Sequence, residues 1–369
     1  MRYIFKNKTR FLLDIVIILF IAIQGCNSFP VDAQPPKDPR NYTWTSDTLS
    51  FSGSAQVLMR SIWGSSTKDV YAVGHNDQSL GVMWHYDGNK WTDVKLNTPF
   101  QGGNISGTIT LSSIYGFSSN NIYAVGDHFR KDPASPPNLL FTSRIIHFNG
   151  STWIDVNLPS LGGWLNTVYG TSSSNVWTGG HDAIYHYDGV KWTRDSISVI
   201  VPSGSFFQLT ALSSYNADIY ALGLTDDNAA NFTHYFFKEN NSNISVIDTF
   251  YRANGIKFGN TLWTSKNGSL YSVGHKGVYK YNGSTWSNIL KTGPFLSGIS
   301  GTDDNNIFVV GHLGQAYHFN GTDWKNIADK FSKDSGTLYA SVWTDGTEAF
   351  ILEQPQTGFP QKTVVWHGK

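Results

Sequence analysis

Histidines are the first residues that could do chemistry. Five of the eleven follow the end of an apolar run: His75, His128 (after Asp127), His181, His275 and His312. Imidazoles gathered on one face could bind a transition metal, or titrate near neutral pH. Four more, His85, His147, His186 and His318, share a position just ahead of a turn. Recurrence at a fixed register points instead to duplicated structural residues. Equivalent positions on successive units also stand too far apart to share a metal at about 2.0–2.1 Å per nitrogen. Neither a metal nor another cofactor is expected.

An enzyme would need convergent acids or arginines. Asp127, Asp182, Asp226, Asp227 and Glu353 all lie in one class of loop, yet local sequence marks no pair of them for the carboxylate spacing of a glycosidase. Six arginines follow the N-terminal segment (Arg40, Arg60, Arg130, Arg144, Arg194 and Arg252), and none reads as a shared repeat position. There is no phosphate loop, zinc spacing or nucleophile elbow.

Aromatics off the repeat register offer binding chemistry. Trp164 sits in Leu161-Gly162-Gly163-Trp164, and Phe100, Phe206, Phe207 and Phe295 lie in equivalent connections. The longest insertion, 127–143, carries Phe129-Arg130-Lys131. Exposed rings there would suit sugar stacking or a protein hot spot, and loop burial is the alternative.

These residues hang on a repeat. SIWGSSTKDVYAVG (61–74) returns at 113–126, 167–180, 261–274 and 298–311, with shorter copies at 211–223 and 341–352. HYDGNKWTDV (85–94) returns at 147–156, 186–195, 280–289 and 318–327. Each first piece reads as two strands around a polar turn, and each second piece as a hairpin on Asp-Gly or Asn-Gly. The unit is therefore four antiparallel strands, a to d. The glycines closing strand b (Gly74, Gly126, Gly180, Gly223, Gly274 and Gly311) are 52, 54, 43, 51 and 37 residues apart. That period predicts a β-propeller.

The hairpin resembles the Asp-box repeats of sialidase-type propellers, without the first serine or threonine of that motif. The whole unit is similar to WGSS…DVYAVG…HYDG…W repeats of bacterial propellers. The resemblance covers 41–369 and implies a fold, not a function.

The chain breaks off within its last hairpin, at Val365-Trp366-His367-Gly368-Lys369, and the missing half stands at Asn41-Tyr42-Thr43-Trp44-Thr45. Residues 41–51 are therefore expected to complete the seventh blade as its strand d, which removes an open sheet edge. The fourth blade, 211–250, has lost its turn motif. Trp44, Trp91, Trp153, Trp192, Trp286 and Trp324 share a strand-d position, and Trp63, Tyr115, Tyr169, Trp263 and Trp343 a strand-a position. Both sets read as packing.

Composition agrees. Twenty-seven basic and 27 acidic residues among 369 leave no net charge, which argues against nucleic acid. Glutamate is reduced to Glu239, Glu348 and Glu353, and aromatics reach 15%, as suits an all-β chain.

The N-terminus has a basic head (Arg2, Lys6, Lys8, Arg10), then an apolar run, Ile15 to Ile23, too short to span a bilayer comfortably. Ile23-Gln24-Gly25-Cys26 resembles a bacterial lipobox, with Gln24 where that family has a small residue. The resemblance implies a signal peptide over 1–25, acylation of Cys26 and a membrane anchor in the bacterial cell envelope. The alternative is a plain secretory signal. Residues 26–40, with four prolines, read as a lipidated cysteine and a tether. The expectation is a monomeric envelope lipoprotein whose propeller binds a protein or glycan without catalysis; the alternative is a carbohydrate-active propeller enzyme.

Overall fold

Each copy of the repeat forms one blade of four antiparallel strands in the order a–b–c–d, and there are seven blades. The structure is a computed structural model that describes residues 37–369 except 79, 97, 100–106, 132–133, 135–137, 160–162, 182–183, 196, 198, 227–231, 241–242 and 332–335. Cys26, the leader, most of the tether and Phe100 lie outside the described residues.

Blade 1 shows the pattern: strand a is Gln56–Ser66, b Asp69–Asn76, c Met83–Tyr86 and d Trp91–Asp93. The first strands of the other blades begin at Thr108, Leu165, Phe206, Thr261, Leu296 and Leu338. These inner strands contact one another in sequence, and the seventh contacts the first, so the ring is closed. One face carries the a–b and c–d turns. The other carries the b–c and d–a connections.

Closure follows the expected exchange. Trp44–Thr48 is strand d of blade 7 and pairs antiparallel with Val364–Gly368 in the register Trp44↔Gly368 to Thr48↔Val364. A second clasp was not expected. Gln361–Lys362, in the b–c connection of blade 7, pairs parallel with Gln56 and Val57 of blade 1. The turn Pro39–Asn41 is docked as well: Arg40 Nη1 donates to Asp323 Oδ1 at 3.0 Å, on the c–d hairpin of blade 6.

Buried side chains form seven clusters, each shared by two adjoining blades. The strand-d tryptophan of one blade packs against the strand-b aromatic of the preceding blade: Trp153 on Tyr71 at 5.7 Å, Trp192 on Tyr123 at 6.1 Å and Trp91 on Phe350 at 6.3 Å. Stability thus comes from burial between sheets, where large aromatics remove most area from water.

The strand-c histidines bind this core. Nε2 of His85 meets Asp69 Oδ1 at 2.7 Å, and Nε2 of His147, His186 and His318 meets Asn121, Asn175 and Asn306 Oδ1 at 2.9 Å each. His367 does the same with Glu348. Each imidazole also packs on the aromatic opposite it in strand b, as His186 stacks on Trp177 at 4.0 Å. Blade 4, whose turn motif is gone, keeps the device with other residues: Lys238 Nζ bonds Asp218 at 2.7 Å and lies over Tyr220. In blade 5, Lys280 lies over Tyr271 and bonds Asp304 of the next blade at 3.1 Å.

The glycine closing strand b has a steric cause. In five of the six blades that have this glycine, strand a bulges opposite or beside it, as between Leu111 and Ser113 opposite Gly126. A Cβ on Gly126 would lie 1.9 Å from Thr110 O. The bulge pushes backbone toward the neighbouring strand and leaves no room for a side chain.

Candidate functional site

The b–c and d–a connections carry the off-register aromatics, and four of the residues singled out from sequence meet there. Phe129 packs on Phe141 (centroids 5.9 Å apart), Phe141 on Trp164 (5.5 Å), Trp164 on His181 (4.2 Å), and His181 on Phe206 (5.4 Å). All five rings are half-buried. They form one aromatic ridge across blades 2, 3 and 4. Trp164 and Phe206 stand at the entry to strand a, His181 just beyond the end of strand b. His181 also pairs through its backbone with Gln208 of the next blade, which fixes the step from blade 3 to blade 4.

Phe141 was not evident from sequence. The insertion at 127–143 is mostly strand: Asn121–Lys131 and Leu139–Phe148 stay paired out to Lys131↔Leu139. Phe129, Arg130 and Phe141 are therefore held on a rigid hairpin arm rather than a loose loop, with Arg130 half-buried opposite Leu140.

The remaining candidates divide. Phe295 lies between His275 (4.8 Å) and His312 (5.4 Å), a smaller cluster on blades 5 and 6. Burial, with nearby Arg252 and His312, lowers the pKa of His275, and burial alone lowers that of His312. His234 stacks on Phe250 at 4.5 Å, and burial pushes it down to about 4. His75 Nδ1 sits 3.3 Å from Thr110 Oγ1, joining blades 1 and 2. His128 is only 2% exposed and so belongs to the interior. Among the described residues no three His, Cys, Asp or Glu side chains converge as a metal site.

Apolar side chains stand out from the same face. Leu139 is 49% exposed, Ile200 92%, Leu313 62% and Phe359 74%. All four lie in or beside b–c or d–a connections.

The acids do not assemble. Glu353 is buried in blade 7, where Oε2 accepts from Trp366 Nε1. Asp127 ends the regular part of strand b in blade 2; burial raises it to about 6, with Arg60 pulling the other way. Asp226 is in blade 4. Asp182 and Asp227 lie outside the described residues.

Along the ring axis runs a channel of about 450 Å3 lined by strand a of every blade. Its lower walls are Trp63, Tyr115, Tyr169, Trp263 and Trp343, several of them laid over a glycine of the next blade: a Cβ on Gly116 would lie 2.5 Å from Trp63. Its upper ring is the set of bulged residues, which corrects the reading that no arginine holds a shared repeat position. Arg60, Ser112, Asn166, Thr210, Ser297 and Ala340 are the residues skipped by the strand pairing in six blades. The signal was available, since each stands just before the SIWG-type segment. Among the described lining residues Arg60 is the one charged group.

No protein-family model matches the chain, and no curated protein matches it. Solved structures do share its fold. One described as YCF48 bound to D1 peptide superposes with a TM-score of 0.54 at 14% identity, over 88% of this chain and 96% of that one. YCF48 from Cyanidioschyzon merolae gives 0.53 at 12% identity, over 86% and 98%. At such identities the likeness is one of fold.

Proposed function

We propose that this chain is a cell-envelope lipoprotein whose propeller is a non-catalytic platform for a protein partner, bound on the face of the b–c and d–a connections. The aromatic ridge from Phe129 to Phe206 carries the reading. Half-buried rings on rigid strands give contact area at little ordering cost, the make-up of protein hot spots. The exposed Leu139 and Ile200 lie in or beside connections of the same blades, and Leu313 and Phe359 stand out from the same face in blades 6 and 7. A solved propeller of this fold, YCF48, is described as bound to a peptide, which shows that such a ring can serve this purpose.

The anchor fits that arrangement. Arg40 fastens the entering chain to Asp323 on the c–d hairpin of blade 6, on the face opposite the ridge. On this reading an acylated Cys26 anchors the chain upstream of that point.

Photo-cross-linking in intact cells tests the proposal. A cross-linker at Ile200 or Leu313 should capture a discrete protein adduct, and Trp164→Ala should reduce it several-fold. Val190, 86% exposed on a c–d hairpin, is the control. Adducts from Val190 alone, or none from the ridge face, would overturn the reading.

A further inference from the structure

We propose that the upper mouth of the central channel is a carboxylate-binding site with Arg60 as its charged ligand. It is separate from the aromatic ridge and does not depend on it.

The Arg60 charge has no ion-pair partner among the described residues, and the Asp127 carboxylate only reaches it through space. Arg60 sits at the bulge of strand a in blade 1, so its side chain enters the channel lining. Among the described residues its guanidinium makes no hydrogen bond and no ion pair, and it remains exposed to channel water. The surrounding walls nonetheless lower its pKa through desolvation. A guanidinium keeps its proton at any working pH. The remaining route to stabilisation is an anion, and its planar fork fits a carboxylate with two parallel hydrogen bonds.

The rest of the ring is polar and nearly neutral. Asn166 donates to Leu209 O (3.1 Å), Thr210 to Leu222 O (3.3 Å) and Ser297 to Tyr339 O (2.6 Å), so these side chains hold the wall in place. Ser112, at the equivalent bulge of the next blade, makes no such bond among the described residues, leaving its hydroxyl available in the same channel lining as Arg60.

One positive charge selects for one negative charge. Asp127 is the acid whose field reaches Arg60, and it forms no ion pair with it. At pH 7 its carboxylate is mostly ionised, and it opposes a dianion more than a monoanion. A phosphate site would need further cations, and the described lining has none. The volume, about 450 Å3, lies in the range of about 300–1,000 Å3 usual for small-ligand sites. A free organic acid and the carboxylate of a peptide share the required chemistry.

The test uses the full-length chain, 15N-labelled at arginine. The Arg60 Nε–Hε resonance is assigned by its loss in Arg60→Gln. It is then followed at pH 7 on adding butyrate, N-acetyl-hexaglutamine with a free C-terminus, the C-terminal amide of that peptide or inorganic phosphate. Saturable shifts with a carboxylate and none with the peptide amide are expected. Butyrate as effective as the free-acid peptide identifies a free acid, and the free-acid peptide at least about ten-fold tighter identifies a peptide. Asp127→Asn should tighten binding about two-fold or more. Because the resonance is read on the parent protein, a variant that fails to fold does not decide the matter. No shift with either carboxylate, an equal shift with the peptide amide, or phosphate binding tighter than both would overturn the proposal. None of these outcomes bears on cross-linking from Ile200 or Leu313, which do not line the channel.

Discussion

The indole of Trp44 lies flat against Gly368, forty-odd residues from one chain end meeting the penultimate residue of the other: a Cβ at 368 would stand 2.8 Å from three of its ring atoms. In other blades the position of Gly368 holds Tyr86, Phe148, Tyr187, Tyr281 or Phe319 beside its tryptophan. At the seam the tryptophan takes that space itself, edge-on to Phe331 at 4.7 Å. Trp44→Ala should therefore lower stability by about 3 kcal/mol, the low end for such changes because the ring is half-exposed. Gly368→Tyr should be as harmful by displacing the indole. Urea unfolding of both variants checks this, and unchanged midpoints would deny the seam its role.

The strand-b glycine makes a contrast within one residue type. Gly126→Ala places a methyl group on Thr110 O, whereas Gly314→Ala has nothing within 4 Å and is limited only by its positive φ of 68°. The first should cost about 1–3 kcal/mol or more through overpacking. The second should cost about 1 kcal/mol, the strain of a left-handed residue. Thermal melts that reverse this order would remove the steric account of the repeat glycine.

Acid should weaken the propeller through its buried histidines. His318 is fully buried, and burial lowers its pKa to about 4 from an ordinary 6.5. The unfolded chain therefore takes up the proton first as pH falls. Stability from the neutral imidazole is complete above about 6.5 and is lost progressively down to about 4. At about 1.4 kcal/mol per pH unit over about 2.5 units, this histidine accounts for roughly 3 kcal/mol. His318→Gln should flatten the stability profile between pH 6.5 and 4.5. An unchanged slope would mean that carboxylates alone set the acid limit.

Much of this was legible in the sequence because a blade is local. Val70 to Val73 alternates, Asp87-Gly88 turns, and Trp91 returns, all within one stretch of chain. Even the seam could be read, since half a hairpin at each end has one partner. The site was less legible because it is assembled across blades. Trp164 stood out by breaking register, but Phe141 gained its meaning only when the paired arm carried it over to blade 3. Arg60 was hidden by a bulge, which removes it from the strand alternation. Blade 4 lost its Asx-Gly turn yet kept a nitrogen-bearing side chain over an aromatic, with lysine in place of histidine, which a fixed motif does not reveal.

The proposed lipid anchor rests on Cys26, which lies outside the described residues. Cys26→Ser should release the protein from the membrane fraction of a bacterial host, and the parent should carry acyl chains by mass spectrometry. Two chains anchor stably at about 0.8 kcal/mol per buried methylene. A parent without acyl groups, together with a mutant that stays bound, would refute the anchor while leaving the propeller unaffected.

The second clasp makes the most specific prediction about closure. Thr363 Oγ1 donates to Val57 O and accepts from Met59 N, both at 2.8 Å, and its own N–H and C=O bond Val57 and Leu49. The residue is fully buried. It links strand a of blade 1 to the chain leaving strand d of blade 7. Thr363→Val keeps the shape but strands the Met59 N–H and removes one of the two bonds to Val57 O, at a cost of about 1–3 kcal/mol. Thr363→Ser keeps the hydroxyl and should recover most of that. Because Leu49 follows the strand that Trp44 begins, the two clasps share a segment. Trp44→Ala and Thr363→Val should then be non-additive: once the first frees the strand, the second has less to break, by about 0.5 kcal/mol or more. Strict additivity in a double-mutant cycle would show two independent latches instead of one cooperative seam.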